Sequence, residues 1–359
     1  MIITFPHMGD MGIVLKSLFS NLGREVIMPP PISKKTFELG AKYSPETVCL
    51  PFKLTLGNFI EALEQGADTL ATCGGVGPCR LGYYAEVQRG ILQSLGYKFD
   101  MIVIEPDITD IFANLRRVTY KRSLWEVYLA FRLAIEKMNA LDNIERKVSV
   151  IRPLEVNSGQ SAAIRKETIS AIDSVEKIAD LHAVYFKAER ELDNIKTRSD
   201  MDPLRIGVVG EIYVMLEPFI NQNLDLRLGS MGVEIHKTMY LSDYVNGHLF
   251  RKSEYLEKFK YLAGLAQPYL GHYVGGHAIK SIAHTVDMGQ ENYDGIIHMF
   301  PFTCMPEVVA KNILPKVSNE KNIPVLSIAF DEQSGDAGTA TRLEAFIDLL
   351  KYRRHKKAR

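Results

Sequence analysis

Over the first hundred residues, short apolar runs alternate with segments whose apolar positions recur every three or four residues. That is the rhythm of a parallel α/β fold. Strands are predicted at Ile2–Phe5, Glu25–Met28, Thr69–Thr72 and Met101–Ile104, with helices near Gly12–Leu22, Lys53–Gln65 and Arg80–Leu95 between them. Gly23, Gly66 and Gly96 each stand just past one of these helices, where a left-handed cap favours a residue without Cβ.

From about residue 106 to 200 the pattern becomes helical. Ser123 and Glu126 have capping-box spacing, followed by Tyr128, Phe131, Ile135 and Met138 on one face. A stripe from Ile172 to Ile195 predicts one long helix over about Ser158–Lys196. The α/β rhythm then returns. Strands are predicted at Arg205–Gly210, Gly232–His236, Gly295–Phe300 and Pro324–Phe330, with helices near Ser253–Ala266, Ile279–Met288, Pro306–Leu314 and Thr339–Lys351. The fold class read from this is α/β, two Rossmann-like lobes with parallel sheets joined by a helical segment. The expected division is an N-terminal lobe over 1–105, a helical connector over 106–200 and a C-terminal lobe over 201–359.

A chain of 359 residues exceeds what one hydrophobic core usually supports, in keeping with two lobes. Its 46% hydrophobic and 24% charged residues exclude a disordered or collagen-like protein. Basic and acidic residues balance at 43 each, so no overall field favours nucleic acid or an anionic membrane. Six Lys and Arg crowd the last nine positions, KYRRHKKAR, and read as a solvated end. The N-terminal MIITFPHMGD reads as a first strand and not a signal peptide, and no apolar run is long enough to cross a membrane. The expected location is cytoplasmic.

Four cysteines stand out: Cys49 in TVCLP, Cys73 and Cys79 in ATCGGVGPCR, and Cys304 in FTCMP. Cys73 and Cys304 follow predicted strands, and the carboxyl ends of strands are where open α/β sheets bind ligands. Cys49 precedes a predicted helix. Two lobes facing across a cleft bring all four thiols together. Their separation, with 23, 5 and 224 residues between successive cysteines, matches neither the close pairs of zinc ribbons nor the compact run of ferredoxins. Gly74, Gly75 and Gly77 allow close backbone approach, while Pro51, Pro78 and Pro306 stiffen the loops. An iron–sulfur cluster is favoured over a zinc site and over plain buried thiols.

The runs GREVIMPPPISKKTFELG and SPETVCLPFKLTLGNFIEALEQGADTLATC, with RIGVVGEIYVMLEPFIN, FPFTCMPE and TRLEAFID further on, carry a family likeness. They resemble the 2-hydroxyacyl-CoA dehydratase superfamily, and more closely the dehydratase-related part found beside, or fused to, the ATP-dependent activators of those enzymes. The resemblance implies a [4Fe–4S] cluster held by Cys49, Cys304 and one or both of Cys73 and Cys79. It implies an actin-like ATPase activator as the source of low-potential electrons, and a homodimer or homologous second subunit. It also implies an acyl-CoA or small-molecule substrate for a radical dehydration or reduction, or a role relaying the electron. Related members carry double-cubane clusters, but four cysteines supply only a single cubane. This chain has no GxxxxGK[ST] loop, so it is not itself the activator. Cys79, followed by Arg80 and a helix start, leans toward four thiolate ligands over an open iron. A non-catalytic scaffold with zinc on the four cysteines is the alternative.

Other residues have plainer readings beside functional ones. His272, His277 and His284 sit in a glycine-rich stretch read as a loop bordering the cleft, with His277 a candidate proton donor. Gly210 and Glu211 follow a strand without a dinucleotide fingerprint, so Gly210 reads as structural. Lys53 offers positive charge beside a cluster or acyl-CoA phosphate, or is a surface lysine. Asp331, Glu332 and Asp336 read as caps for the helix near Thr339, ahead of acid–base work.

Overall fold

The structure, a computed structural model, describes residues 1–357 except Val76, Pro106 and Arg251, and the side chains of all these but Ile108, His248 and Leu249. Eight strands appear among the described residues, each where the apolar runs predict it. β1 (Ile2–Thr4), β2 (Glu25–Val26), β3 (Thr69–Cys73) and β4 (Asp100–Ile104) form one sheet in the order β2-β1-β3-β4. β5 (Leu204–Gly210), β6 (Val233–Lys237), β7 (Gly295–Pro301) and β8 (Val325–Phe330) form a second in the matching order β6-β5-β7-β8. Every neighbouring pair is parallel. β7 is buried along its whole length, as expected of a parallel strand covered on both faces. The fold is therefore α/β with two Rossmann-like lobes.

In each sheet the chain changes direction beside its first strand, so the switch-point crevices lie at the ends of β1 and β3 and of β5 and β7. The segments leaving those ends meet one another. After β1, the backbone N–H of Gly9 and Nδ1 of His7 bond the buried carboxylate of Glu217, at 2.9 and 2.8 Å, while Tyr213 donates its hydroxyl to the His7 carbonyl. After β3, Arg80 reaches the carbonyl of Thr303, which follows β7. Gly210 ends β5 at φ +142, and a Cβ there would stand 1.8 Å from the Met299 carbonyl oxygen, so its role is structural as the sequence suggests.

The helix Leu50–Glu64 belongs to both lobes. Leu50 and Leu54 pack with Ile32 into the core beneath β5–β8, whereas Phe52, Leu56, Phe59 and Ile60 fill a core of the first lobe. One flank is covered by a helix the apolar pattern does not predict, Lys34–Tyr43, capped by Ser33 and Thr36. The two helices press backbone to backbone, since a Cβ on Gly57 would lie 2.0 Å from the Thr36 carbonyl oxygen.

Between the sheets, the Ser123–Glu126 capping box opens the helix Leu124–Ile151, as predicted. The single helix expected over Ser158–Lys196 is instead two, Gln160–Ser174 and Ile178–Asp193, broken where Val175 and Lys177 take extended conformations. Folding back lets Ile172 and Leu181 enter the same core as Leu133, Ala134 and Leu141 of the long helix. A straight rod would leave half of that apolar stripe in water. The basic end is also less free than expected: Arg354 pairs with Asp294 and Asp202. The last two residues of that run lie outside the described residues.

Gly57→Val drives a branched side chain into backbone that has no rotamer to yield. It is expected to cost roughly 3 kcal/mol, read as a lower urea midpoint. An unchanged midpoint would mean that the two helices separate at no cost.

Candidate functional site

Three of the four cysteines begin helical segments. Cys49 is the N-cap of Leu50–Glu64 and Cys304 that of Met305–Lys321, each with proline in the first turn. Cys79 is the N-cap of the 3-10 turn Arg80–Tyr83, which runs on into the helix Tyr84–Ser94. The Cys49 side chain makes no cap hydrogen bond, whereas the sulfurs of Cys79 and Cys304 lie by first-turn backbone N–H groups of the segments they begin, those of Leu81 and Glu307.

Arg80 ties these loops together. Its guanidinium donates to the carbonyl of Thr47, at 2.9 Å, and to that of Thr303. One side chain thus joins the loops of Cys49, Cys79 and Cys304 across the two lobes. Thr303 pays a local cost for its position: it sits at φ +67, unusual for a β-branched residue, and its hydroxyl is buried without a partner. From the second lobe, Gly275 and Gly276, both at positive φ, press the loop after Leu270 onto Cys79 and Pro306. That stretch does border the thiols, as the sequence suggests.

The electrostatics group the same three thiols. Burial pushes the Cys49 thiol up, opposed by a hydrogen bond from Tyr84 and by Arg80, with Cys79 acting in turn. Burial likewise raises Cys79, against a backbone N–H from Leu81. Cys304 is raised further, by burial and then by the charges of Glu211 and Glu307, although it accepts the Glu307 backbone N–H. The charge acting on Cys73 is instead that of Glu105, and its thiol acts on Tyr244. Cys73 is exposed to solvent. The loops of Cys49, Cys79 and Cys304 are thus joined through Arg80, with Cys73 in a different charge environment.

Sequence reading gave Glu211 no role of its own. Its carboxyl accepts the Val214 backbone N–H at 3.0 Å, and it acts on Cys49, Cys79 and Cys304 alike. Burial raises it from 4.5 to about 7, despite hydrogen bonds from Val214 and Tyr213. Glu307, three residues past Cys304, is fully buried, bonded to His298 and Ser281 at 2.9 Å each, and keeps one oxygen without a partner. The spacing C-x-x-E is a visible signal for Glu307, because it puts the carboxylate in the first turn of the helix that the cysteine begins. Glu211 has no comparable signal, since its neighbours come from other loops.

The remaining candidates disperse. Lys53 is buried and pairs with Glu332 at a cavity of about 390 Å³, which also opens onto Thr303 and the flanks of Cys49. Burial lowers its pKa. Asp331 organises its own turn through Gln333 and Ser334, and Asp336 lies in the first helical turn paired with Arg227, so neither caps a helix at Thr339. His284 is buried in the helix Ala278–Gln290 and held neutral, pushed down to about 3 by burial and nearby lysines. His272 is exposed, and His277 begins the same helix as His284. Among the described residues, no three His, Cys, Asp or Glu side chains stand close enough to grip a single metal ion. No described helix is long and apolar enough to cross a membrane.

Residues 7–71 match the family described as the CoA enzyme activase uncharacterised domain. The matched segment runs from the end of β1 into β3 and contains Cys49 and Arg24 through Lys53, but none of the other cysteines. At a coarse level this agrees with the likeness to activase-associated proteins of the dehydratase type, and it indicates no narrower family. No curated protein matches the chain.

Folding raises the Glu211 carboxyl, so its contribution to stability is complete below pH 4.5 and is lost as pH climbs toward 7. The full swing is at most about 3 kcal/mol. In metal-free protein, Glu211→Gln should flatten that part of the stability–pH curve measured by urea unfolding. An unaltered slope would assign the titration to another group.

Proposed function

We propose that this chain is an iron–sulfur redox component of the 2-hydroxyacyl-CoA dehydratase type, with a [4Fe–4S] cluster on Cys49, Cys79 and Cys304. It would take low-potential electrons from an ATP-dependent activator and serve a radical dehydration or reduction, or relay the electron. The observation that carries this reading is that three N-cap cysteines stand on three loops, from both lobes, that Arg80 joins.

The residues fit such a group. Soft sulfur donors suit iron–sulfur chemistry. The helices behind Cys49 and Cys304 direct their positive ends at the site, and Arg80 adds a full charge, all favourable to thiolate and to an anionic cluster. Burial that makes the bare thiols hard to ionise also keeps water away from the bound state.

When bound, a cluster with three thiolates supplies one-electron chemistry and one iron open to an oxygen ligand. The chain's own residues would set the polarity and the proton supply around the three thiols. Glu211 is the carboxyl common to all three thiols, and near neutral pH it is poised to hold or give up a proton. Tyr84 and the Glu307 backbone N–H donate to the sulfurs of Cys49 and Cys304. Leu81 and Tyr83 beside Cys79, with Phe302 and Met305 beside Cys304, are exposed apolar side chains at the rim, a surface suited to an activator or a second subunit.

Anaerobically prepared protein should contain about four iron and four sulfide per chain. Cys49→Ser, Cys79→Ser and Cys304→Ser should each lose most of both, while Cys73→Ser keeps them. Iron loss in Cys73→Ser as complete as in the others would make Cys73 a fourth ligand. Zinc in place of iron, in a colourless protein, would overturn the proposal in favour of a scaffold.

A further inference from the structure

The first two turns of the helix Leu124–Ile151 leave a group of large apolar side chains in water. Leu124 is 87% exposed, the most of any large apolar residue described, Trp125 is 66% exposed, and Tyr128 and Leu129 stand one turn further on. Trp125, the only tryptophan in the chain, stacks on the ring of Tyr128 with centroids 5.3 Å apart. Single exposed apolar residues are ordinary, whereas a contiguous group holding tryptophan and tyrosine marks a contact surface.

The same side of the helix continues into charge. Trp125, Arg132, Glu136 and Asn143 follow at steps of seven, four and seven residues, which keeps them on one face. Arg132 is exposed and makes no hydrogen bond or ion pair among the described residues. Glu136 leans away from it, toward His182 at 4.0 Å on the helix Ile178–Asp193. That second helix runs alongside in the same direction, since Leu181 shares a core with Leu133 and Ala134, and Ala188 and Leu192 share one with Ile144 and Val148. Phe186, one turn past His182 and 58% exposed, therefore stands beside the stretch between Glu136 and Ile144. Its ring rests on those of His182 and Tyr185, at 6.3 and 5.6 Å between centroids.

We propose that this face binds a second copy of the chain, the two Leu124–Ile151 helices lying antiparallel about a twofold axis midway between Arg132 and Glu136. In that pairing Arg132 of each copy meets Glu136 of the other, so the charge on the face is complementary to itself. Trp125 lies nine residues from the axis on one side and Asn143 nine on the other, about 14 Å each at ~1.5 Å per residue. Trp125 and Leu129 of one copy thus come down beside Phe186 of the other, and the apolar group of each finds an aromatic seat. One cation and one anion offer little to a strongly acidic or basic partner, which leaves the chain itself as the fitting occupant. The five apolar side chains expose on the order of 600 Å² per copy, taking ~150–250 Å² for a whole aromatic side chain. That is most of the roughly 800 Å² each partner buries in a standard interface. None of these residues belongs to the thiol loops, so the dimer is expected in metal-free and cluster-loaded protein alike.

Sedimentation equilibrium of the metal-free full chain at micromolar concentration should show a dimer. On dilution the emission of Trp125 should move to the red as its ring meets water. Arg132→Glu and Glu136→Arg each set like charges against one another across the axis and should weaken dimerisation at least tenfold, while the double variant should restore it. Each reversal checks the other should one fail to fold, with far-UV circular dichroism as the control. A monomer at micromolar concentration overturns the proposal, as does a dimer that neither reversal weakens or whose dissociation leaves the tryptophan emission unchanged. Loss in both single variants without recovery in the double one overturns the twofold axis placed between Arg132 and Glu136.

Discussion

A buried carboxylate holds the two lobes in the pose on which everything else depends. Glu217 receives the His7 imidazole and the Gly9 backbone N–H from the end of β1, while itself belonging to the segment after β5. A carboxylate with 3% of its side chain exposed is tolerable only when its oxygens are occupied, so the chain after β1 must be there for the second lobe to fold as it does. The same constraint makes the carboxyl ends of both sheets meet, with β1 opposite β5 and β3 opposite β7. The helix Leu50–Glu64 reinforces it by giving side chains to both cores. The thiols inherit their arrangement from this docking, and Arg80 fixes it locally.

The strands were legible because parallel strands covered on both faces, such as β7, are apolar throughout, and most runs here end in glycine, proline or a polar turn. The helix Lys34–Tyr43 was not, because its buried positions are Thr36 and Gly40: it packs by smallness, and apolar periodicity does not register smallness. The opposite error occurs at Val175. There the apolar stripe continues through a hairpin because both arms face the same helix, so the sequence shows one period where the chain makes two elements.

For the site, the placement of Cys73 and Cys304 after strands and of Cys49 before a helix could be read directly. What could not be read was which thiols share a charge environment. Cys73 and Cys79 are close in sequence, yet Cys79 shares its charge environment with Cys49 and Cys304, and Cys73 with Glu105 and Tyr244. Arg80 and Glu211 act through tertiary convergence, joining residues more than two hundred positions apart or lying among loops from both lobes. No local spacing encodes such contacts. Glu307 is the intermediate case, since a helix N-terminus fixes its relation to Cys304 while its bonds to His298 and Ser281 require the folded lobe.

The 224 residues between Cys79 and Cys304 also set an order of events during synthesis. At ~5–20 residues per second, the ribosome needs tens of seconds to pass from one to the other. Through that interval the first lobe holds Cys49, Cys73 and Cys79 with Arg80 lacking its acceptor on Thr303 and with no Glu211 or Cys304 opposite. Contacts that join the lobes, Arg80 to Thr303 among them, therefore form only once the second lobe has been made.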